Sequence, residues 1–223
     1  MKYKKVVEGR FISRPNRFIA NVNIDGVPFV CHVKNTGRCR ELLVPDAAVF
    51  LEESNNPNRK TKYDLIAVKK GDRLINMDSQ APNKVFGEWA KDYFKPDFIK
   101  PEVTYKGSRF DFYMEKEGEK IFVEVKGVTL ESGGVVSFPD APTERGIKHL
   151  LELSDAVKNG YTAYVFFIVQ MKNVKYFEPS IERHPEFCKA LRFAKESGVR
   201  VMCLDCEVTP NSLTARDFVK VVI

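Results

Sequence analysis

Asp111, Glu124 and Lys126 are the residues of this sequence whose types and spacing best suit chemistry. They lie in two stretches, Ser108 to Lys116 and Glu119 to Gly127, joined by Glu117-Gly118. Alternation of apolar and polar residues over such lengths reads as two half-buried strands. A two-residue link ending in glycine reads as a hairpin turn. With Glu117-Gly118 as the turn, Asp111 faces Glu124 and Arg109 faces Lys126 on one side of the sheet. Phe110, Phe112 and Met114 then turn to the other side. Like charges directly opposite are destabilising, so the carboxylate pair calls for a cation between them. A hard oxygen site suits Mg2+ or Mn2+. The Lys126 ammonium, on the same face as Glu124, can orient an attacking water and stabilise an anionic transition state. Two carboxylates, a divalent metal and a lysine form a phosphodiester-hydrolysis set. The plainer alternative is an exposed, salt-bridged hairpin, and a one-residue slip would set Phe112 opposite Glu124.

The elements that must position this hairpin are legible around it. Val85 to Phe94 predicts a helix, and residues 102–106, 108–116 and 119–128 predict three strands. Thr143 to Lys158 predicts an amphipathic helix. Ile147, Leu150, Leu151 and Val157 form its buried stripe, and Arg145, Lys148, Glu152 and Asp155 its wet side. Tyr161 to Val169 is almost continuously apolar, as a strand buried on both faces would be. A helix at 185–197 and a strand at 199–204 follow, and Gly160 and Gly198 end the two helices. A strand, a crossover helix and a buried strand imply a partly parallel sheet.

The spacing Asp111-x12-Glu124-x-Lys126 on a hairpin, followed by a helix and a buried strand, resembles the PD-(D/E)xK nuclease family. The proline of that motif is absent beside Asp111. The resemblance implies catalytic roles for Asp111, Glu124 and Lys126, with Asp111 and Glu124 as metal ligands. It also implies that an acidic residue of the first helix joins them, and Glu88 is the only glutamate there; a surface helix charge is the plainer alternative. Arg145, Lys148 and His149 open the helix after the hairpin, where they can face phosphates, although a lone helix histidine is more commonly a partly buried one. Gln170 ends the buried strand and can reach the site or simply terminate the strand.

Residues 1–80 differ from residues 81–223. The 223-residue chain carries a net charge of +6 and is 43% hydrophobic, enough for a sizeable core. The first 80 residues hold 15 Lys and Arg against 9 Asp and Glu, and the remainder holds 21 against 21. A basic segment beside a neutral one is the footprint expected for a polyanion. Short alternating stretches at 18–24, 27–33, 48–52, 63–68 and 72–76, with Asp25-Gly26 as a hairpin signal, read as a small closed barrel of the OB type. Arg14, Arg17, Arg38, Arg40, Arg59, Lys60 and Lys62 are its candidate phosphate contacts, joined by Arg145 and Lys148 from the second domain. Phe11, Phe18, Phe29 and His32 are candidate stacking surfaces, although barrel aromatics mostly fill the core. Asn35-Thr36-Gly37-Arg38 reads as a loop whose glycine admits a partner to the backbone.

Five widely spaced cysteines make no disulfide framework. Cys203 and Cys206 lack the second pair that a zinc site needs and read as buried strand thiols. No run approaches the length of a membrane helix, and no signal peptide opens the chain. The expectation is a cytoplasmic protein without a membrane partner.

Several stretches together resemble the sugar fermentation stimulation protein A (SfsA) family. They include Cys31-His32-Val33-Lys34-Asn35-Thr36-Gly37-Arg38, Arg109-Phe110-Asp111-Phe112, Val123-Glu124-Val125-Lys126-Gly127, Phe138-Pro139-Asp140-Ala141-Pro142-Thr143-Glu144-Arg145-Gly146 and His149-Leu150. The resemblance implies a two-domain α/β chain. Its N-terminal part is an OB-like β-barrel over 1–80, and its C-terminal part a restriction-endonuclease-like αβββαβ mixed sheet over 81–223. It implies DNA binding, with a Mg2+- or Mn2+-dependent nuclease site as one reading. The other reading is a non-catalytic regulator of sugar (maltose-type) utilisation genes that uses the nuclease fold only for binding. No helix-turn-helix, zinc finger or basic zipper is visible for sequence-specific reading. A homodimer is an assembly that such folds use, by analogy alone.

Overall fold

A computed structural model describes residues 1–35 and 37–223 of the chain; Thr36, part of the loop singled out above, lies outside the described residues. The N-terminal strands are β1 (Val6–Asn16), β2 (Ile19–Ile24), β3 (Val27–Val33), β4 (Ala48–Glu53), β5 (Tyr63–Lys70) and β6 (Arg73–Asn76). Asp25 and Gly26 both take positive φ, 49° and 84°, the geometry of a tight turn that follows strand twist. It joins β2 and β3 in antiparallel register from Ile24↔Val27 to Ile19↔His32. The sheet order is β3-β2-β1-β4-β5-β6, and β3 also pairs β5, which closes a five-stranded barrel with β6 on its flank. Val22, Ile24, Cys31, Val33, Val49, Leu51 and Leu65 fill it. Strand β1 is not among the sequence-read strands. It bends at register shifts around Ser13, so its burial does not alternate cleanly.

The second unit comprises α1 (Ala81–Phe94), β7 (Phe98–Tyr105), β8 (Ser108–Lys116), β9 (Glu119–Val128), β10 (Leu130–Ser132), β11 (Val135–Phe138), α2 (Glu144–Lys158), β12 (Thr162–Val169), β13 (Tyr176–Pro179), α3 (Pro185–Glu196), β14 (Arg200–Thr209) and β15 (Ser212–Phe218). Its main sheet runs β15-β14-β12-β9-β8-β7, with β12 parallel to both β9 and β14. One face packs on α1 through Phe86, Phe112, Val123 and Phe166. The other packs on α2 and α3 through Phe110, Phe122, Leu150 and Phe187. The small sheet β10-β11-β13 and the edge strand β15 were not anticipated from the sequence. Leu151, placed in the buried stripe of α2, is exposed; His149, Leu153 and Ala156 are buried instead. The stripe is rotated so that it meets both β9 and α3.

Buried polar contacts join the two units. Gln170 donates from Nε2 to Asn76 Oδ1 (2.8 Å) and to the Asp78 carbonyl (3.0 Å). A Cβ on Gly127 would meet Gln170 Oε1 and Pro82 at 2.7 Å, so this close approach needs glycine. Met1 to Tyr3 leave the barrel and pair with the second unit, Lys2 bridging Ser212. Glu131 accepts from Lys70 (2.9 Å) and Arg73 (2.8 Å), both of the barrel. Burial would raise the Glu131 carboxyl, but Lys70, the Gly134 N–H and Arg73 outweigh it and hold it at about 2.

The stabilisation from Glu131 is therefore complete above the ordinary glutamate value of 4.5 and is lost as pH falls toward about 2. Glu131→Gln is expected to lower unfolding free energy by about 1.5–3 kcal/mol at neutral pH. In denaturant titrations across pH, the gap from wild type should close below pH 4.5.

Candidate active site and nucleic-acid surface

Glu117 and Gly118 take φ of 51° and 82°, making a tight turn like that at Asp25-Gly26. The β8–β9 register runs from Lys116↔Glu119 to Phe112↔Val123, the register read from the sequence. The ladder stops at Asp111. There the Asp111 carboxylate itself accepts from the Val125 N–H at 2.7 Å, and its other oxygen accepts from Asn83 Nδ2 at 2.7 Å.

The pleat is interrupted at the same place. Glu102, across from Asp111 on β7, takes φ of 53°, and the β7–β8 register passes from Pro101↔Phe112 to Val103↔Phe110. Phe110 therefore does not share a face with Phe112 and Met114. It packs on Phe122 and edge-on to His149, while Phe112 packs on Phe86 of α1. Arg109 is exposed near Glu102 (3.6 Å) and is not aligned with Lys126.

Glu124 sits in a central strand, paired with Val165, and is 3% exposed. Its Oε1 accepts from Lys126 Nζ and lies against His149 Nδ1, each at 2.5 Å. Its Oε2 is buried and has no hydrogen-bond partner among the described residues. Burial works to raise the Glu124 carboxyl, but His149 and Lys126 bring it below the usual range. Asp111 goes the other way: burial and then the charge of Glu124 raise it, against the opposing Val125 N–H, Lys126 and Asn83. A bare buried carboxylate oxygen beside a second, electrostatically coupled carboxylate fits a hard divalent cation. Among the described residues no group of three His, Cys, Asp or Glu ligands forms. Mg2+ commonly needs only one or two carboxylates, with water and phosphate oxygens completing its shell.

Glu88 does not join the pair. It is exposed and bound to the Met1 ammonium at 2.7 Å. The helix begins at Ala81, earlier than the sequence periodicity indicated, so its first turn faces β8 and Asn83 makes the contact. Pro82, a residue favoured in a helix's opening turn, was the available signal. Glu88 and Asp111 do share the walls of an open cleft of about 600 Å³, with Lys84, Lys91 and Phe112. His149, weighted above toward a structural role, touches Glu124 directly. Gln170 serves the junction between the units instead of the site.

The basic residues divide into two groups. Arg14 donates to the carbonyls of Arg17, Asn35, Gly37 and Arg38 at 2.6–2.8 Å, so its guanidinium holds the loop. Arg59 grips Asp64 through both terminal nitrogens, at 2.8 and 2.6 Å. Lys148 donates to the Gly107 carbonyl at 2.6 Å. By contrast Arg17, Arg38 and Arg40 are exposed around a concavity of about 390 Å³, with no ion pair among the described residues. Lys60 and Arg145 are exposed as well. Of the aromatics, Phe11 is in the core, Phe29 packs on Tyr63 and His32 binds Asp64; Phe18 is exposed beneath the Arg17 guanidinium at 4.9 Å. A small cleft just beyond Lys126, lined by Gly127, Thr129, Asp140 and Gln170, is closed on the barrel side by Asn35 and Ser79.

All five cysteines are buried and unpaired. Burial pushes the Cys31 and Cys39 thiols up to about 12 and those of Cys203 and Cys206 higher still. They behave as small apolar side chains, not as metal ligands.

Comparison with known proteins places these features in a family. Residues 12–77 match the family profile described as the SfsA N-terminal OB domain, and residues 80–212 match the sugar fermentation stimulation protein RE domain. A sugar fermentation stimulation protein homolog of Clostridium beijerinckii is 59% identical over 226 residues, covering 100% of both chains. One from Desulfitobacterium hafniense is 62% identical over 99% of this chain and 98% of its own. A structure of Pyrococcus furiosus SfsA in complex with Ca2+ superimposes with a TM-score of 0.89 at 26% identity, covering 100% of this chain and 98% of that one.

The two groups of basic residues should separate in thermal denaturation. Arg14→Ala is expected to cost about 1.5–3 kcal/mol, because four carbonyls, two of them partly buried, lose one charged donor. Arg17→Ala, Arg38→Ala and Arg40→Ala should each stay within about 0.5 kcal/mol of wild type.

Proposed function

Because the chain belongs to the SfsA family, with its OB and RE domains, we propose that it binds DNA and hydrolyses phosphodiester bonds with a divalent cation at Asp111 and Glu124. The observation that carries this reading is the buried Glu124 Oε2, unpartnered among the described residues, on a carboxylate whose charge couples to Asp111 and whose other oxygen takes Lys126. The Ca2+ complex of the Pyrococcus furiosus relative adds support for a divalent ion, and Mg2+ is the proposed physiological one, with Mn2+ able to replace it.

When bound, such a cation supplies Lewis-acid polarisation of a phosphoryl oxygen. Asp111 is held ready to ligate by Asn83 and the Val125 N–H, which fix both its oxygens from the side. Lys126, held at Glu124 and largely buried, orients the attacking water and offsets the negative charge that develops on the phosphorus oxygens. Arg17, Arg38 and Arg40 hold the strand by its phosphates, and Phe18 offers a face for one unpaired base. The reading is of sequence-independent binding, since phosphate contacts carry no sequence information. No helix among the described residues is long and apolar enough to cross a membrane. We place the activity in the cytoplasm, whose reducing conditions suit five unpaired thiols.

Labelled single-stranded, duplex, flapped and branched DNA, incubated with Mg2+, Mn2+ or EDTA, tests this. Metal-dependent cleavage should fall about 10²–10⁴-fold in Asp111→Asn and Lys126→Ala, with DNA affinity retained. Arg17→Ala or Arg38→Ala should weaken binding uniformly and reduce the salt slope by about 1. Salt-sensitive binding without cleavage of any substrate would instead favour the regulator of sugar-utilisation genes.

A further inference from the structure

His149 occupies the second turn of α2, a helix whose start is fixed by Thr143, which accepts from the Gly146 N–H. The imidazole is 3% exposed and stands edge-on to Phe110, with centroids 6.0 Å apart at 87°. Its Nδ1 is 2.5 Å from Glu124 Oε1, and its Nε2 is 3.3 Å from Arg145 Nε. A guanidinium has donors and no acceptor. Nε2 must therefore present its lone pair to Arg145, and in the neutral ring the proton then sits on Nδ1. That proton points at Glu124.

The same Glu124 oxygen takes the Lys126 ammonium. Two donors thus converge on Oε1 while, among the described residues, Oε2 receives none. A buried carboxylate held by one oxygen in this way cannot rotate without losing both donors. Its bare oxygen is left aimed at one place.

Resting on the metal-site reading above, we infer that His149 is a positioning residue. Locked as the Nδ1–H tautomer by Arg145, it holds Glu124 Oε1 so that Oε2 is free to ligate the cation. Arg145 spends one nitrogen on this contact. Its side chain is exposed at the opening of α2, so a phosphate bound there is separated from Glu124 by a single imidazole.

Two measurements on the intact chain test the inference. In metal-free protein, nitrogen-15 correlation spectra of the imidazole should show the Nδ1–H form for His149; an Nε2–H or a doubly protonated form would overturn it. Mn2+ affinity is then measured by calorimetry for wild type, Asp111→Asn, His149→Asn, His149→Gln and His149→Leu, each checked for folding by its melting curve. An asparagine amide can replace the Nδ1 donor, so His149→Asn should stay within about threefold of wild type. His149→Gln and His149→Leu displace or remove that donor and should bind about 10–100-fold more weakly. Undiminished Mn2+ affinity in His149→Leu, with loss in Asp111→Asn, would leave the metal site standing and refute the role of His149. Absence of Mn2+ binding in wild type would instead refute the site. If the leucine variant does not fold, the contrast between asparagine and glutamine decides: equal affinities would contradict the inference.

Discussion

A glutamate carboxylate in the middle of a six-stranded sheet must be kept charged without water, and Glu124 is kept so from two directions. Its own strand supplies Lys126 two residues on and α2 supplies His149, while Asp111, a like charge, is tied back by Asn83 and the Val125 N–H. An uncompensated buried charge costs several kcal/mol, so each of these partners constrains an element. Strand β9 must run parallel to β12 for Glu124 to lie centrally. Helix α2 must begin near Thr143 for His149 to reach it. Helix α1 must begin before Val85 for Asn83 to touch Asp111. The compensation is incomplete by one oxygen, and that remainder is what the fold offers to a ligand.

The same economy separates the basic residues of the barrel. Arginine can satisfy several carbonyls or a whole carboxylate with its planar fork. Arg14 and Arg59 are used in that way, one to shape the loop around Gly37 and one to neutralise Asp64. Their neighbours Arg17, in the turn between β1 and β2, and Arg38 and Arg40, in the loop after β3, remain exposed around one concavity. Positive charge is thus divided between holding the surface in shape and presenting it. The loop also packs against Asp140 of the second unit, since a Cβ on Gly37 would strike the Asp140 carboxylate. The exposed arginines and the carboxylate site are therefore joined by a packed junction.

The parts of this arrangement visible in the sequence are those with strong local causes. Glu117-Gly118 and Asp25-Gly26 require positive φ at successive positions, and that requirement sets both hairpin registers. The apolar run in β12 and the glycines after α2 and α3 mark their elements in the same direct way. What was not visible depends on partners distant in sequence. Phe110 changes face at the point where Glu102, on another strand, takes a positive φ. Glu88 is the only glutamate of α1, yet helix phase brings Asn83 to the site. Leu151 is apolar and exposed, because α2 turns its stripe toward two neighbours at once. Exposed and structural arginines are alike in sequence; only the carbonyls around Arg14 distinguish it.

Anomalous scattering from Mn2+ introduced into crystals of the protein tests the central claim most directly, because it locates the ion without reference to activity. The account predicts one strong peak between the Asp111 carboxylate and Glu124 Oε2, at about 2.0–2.2 Å from the ligating oxygens as a small hard cation requires. That peak should disappear in crystals of Glu124→Gln. A site empty at saturating Mn2+, or a peak elsewhere with Glu124 Oε2 still bare, would contradict it.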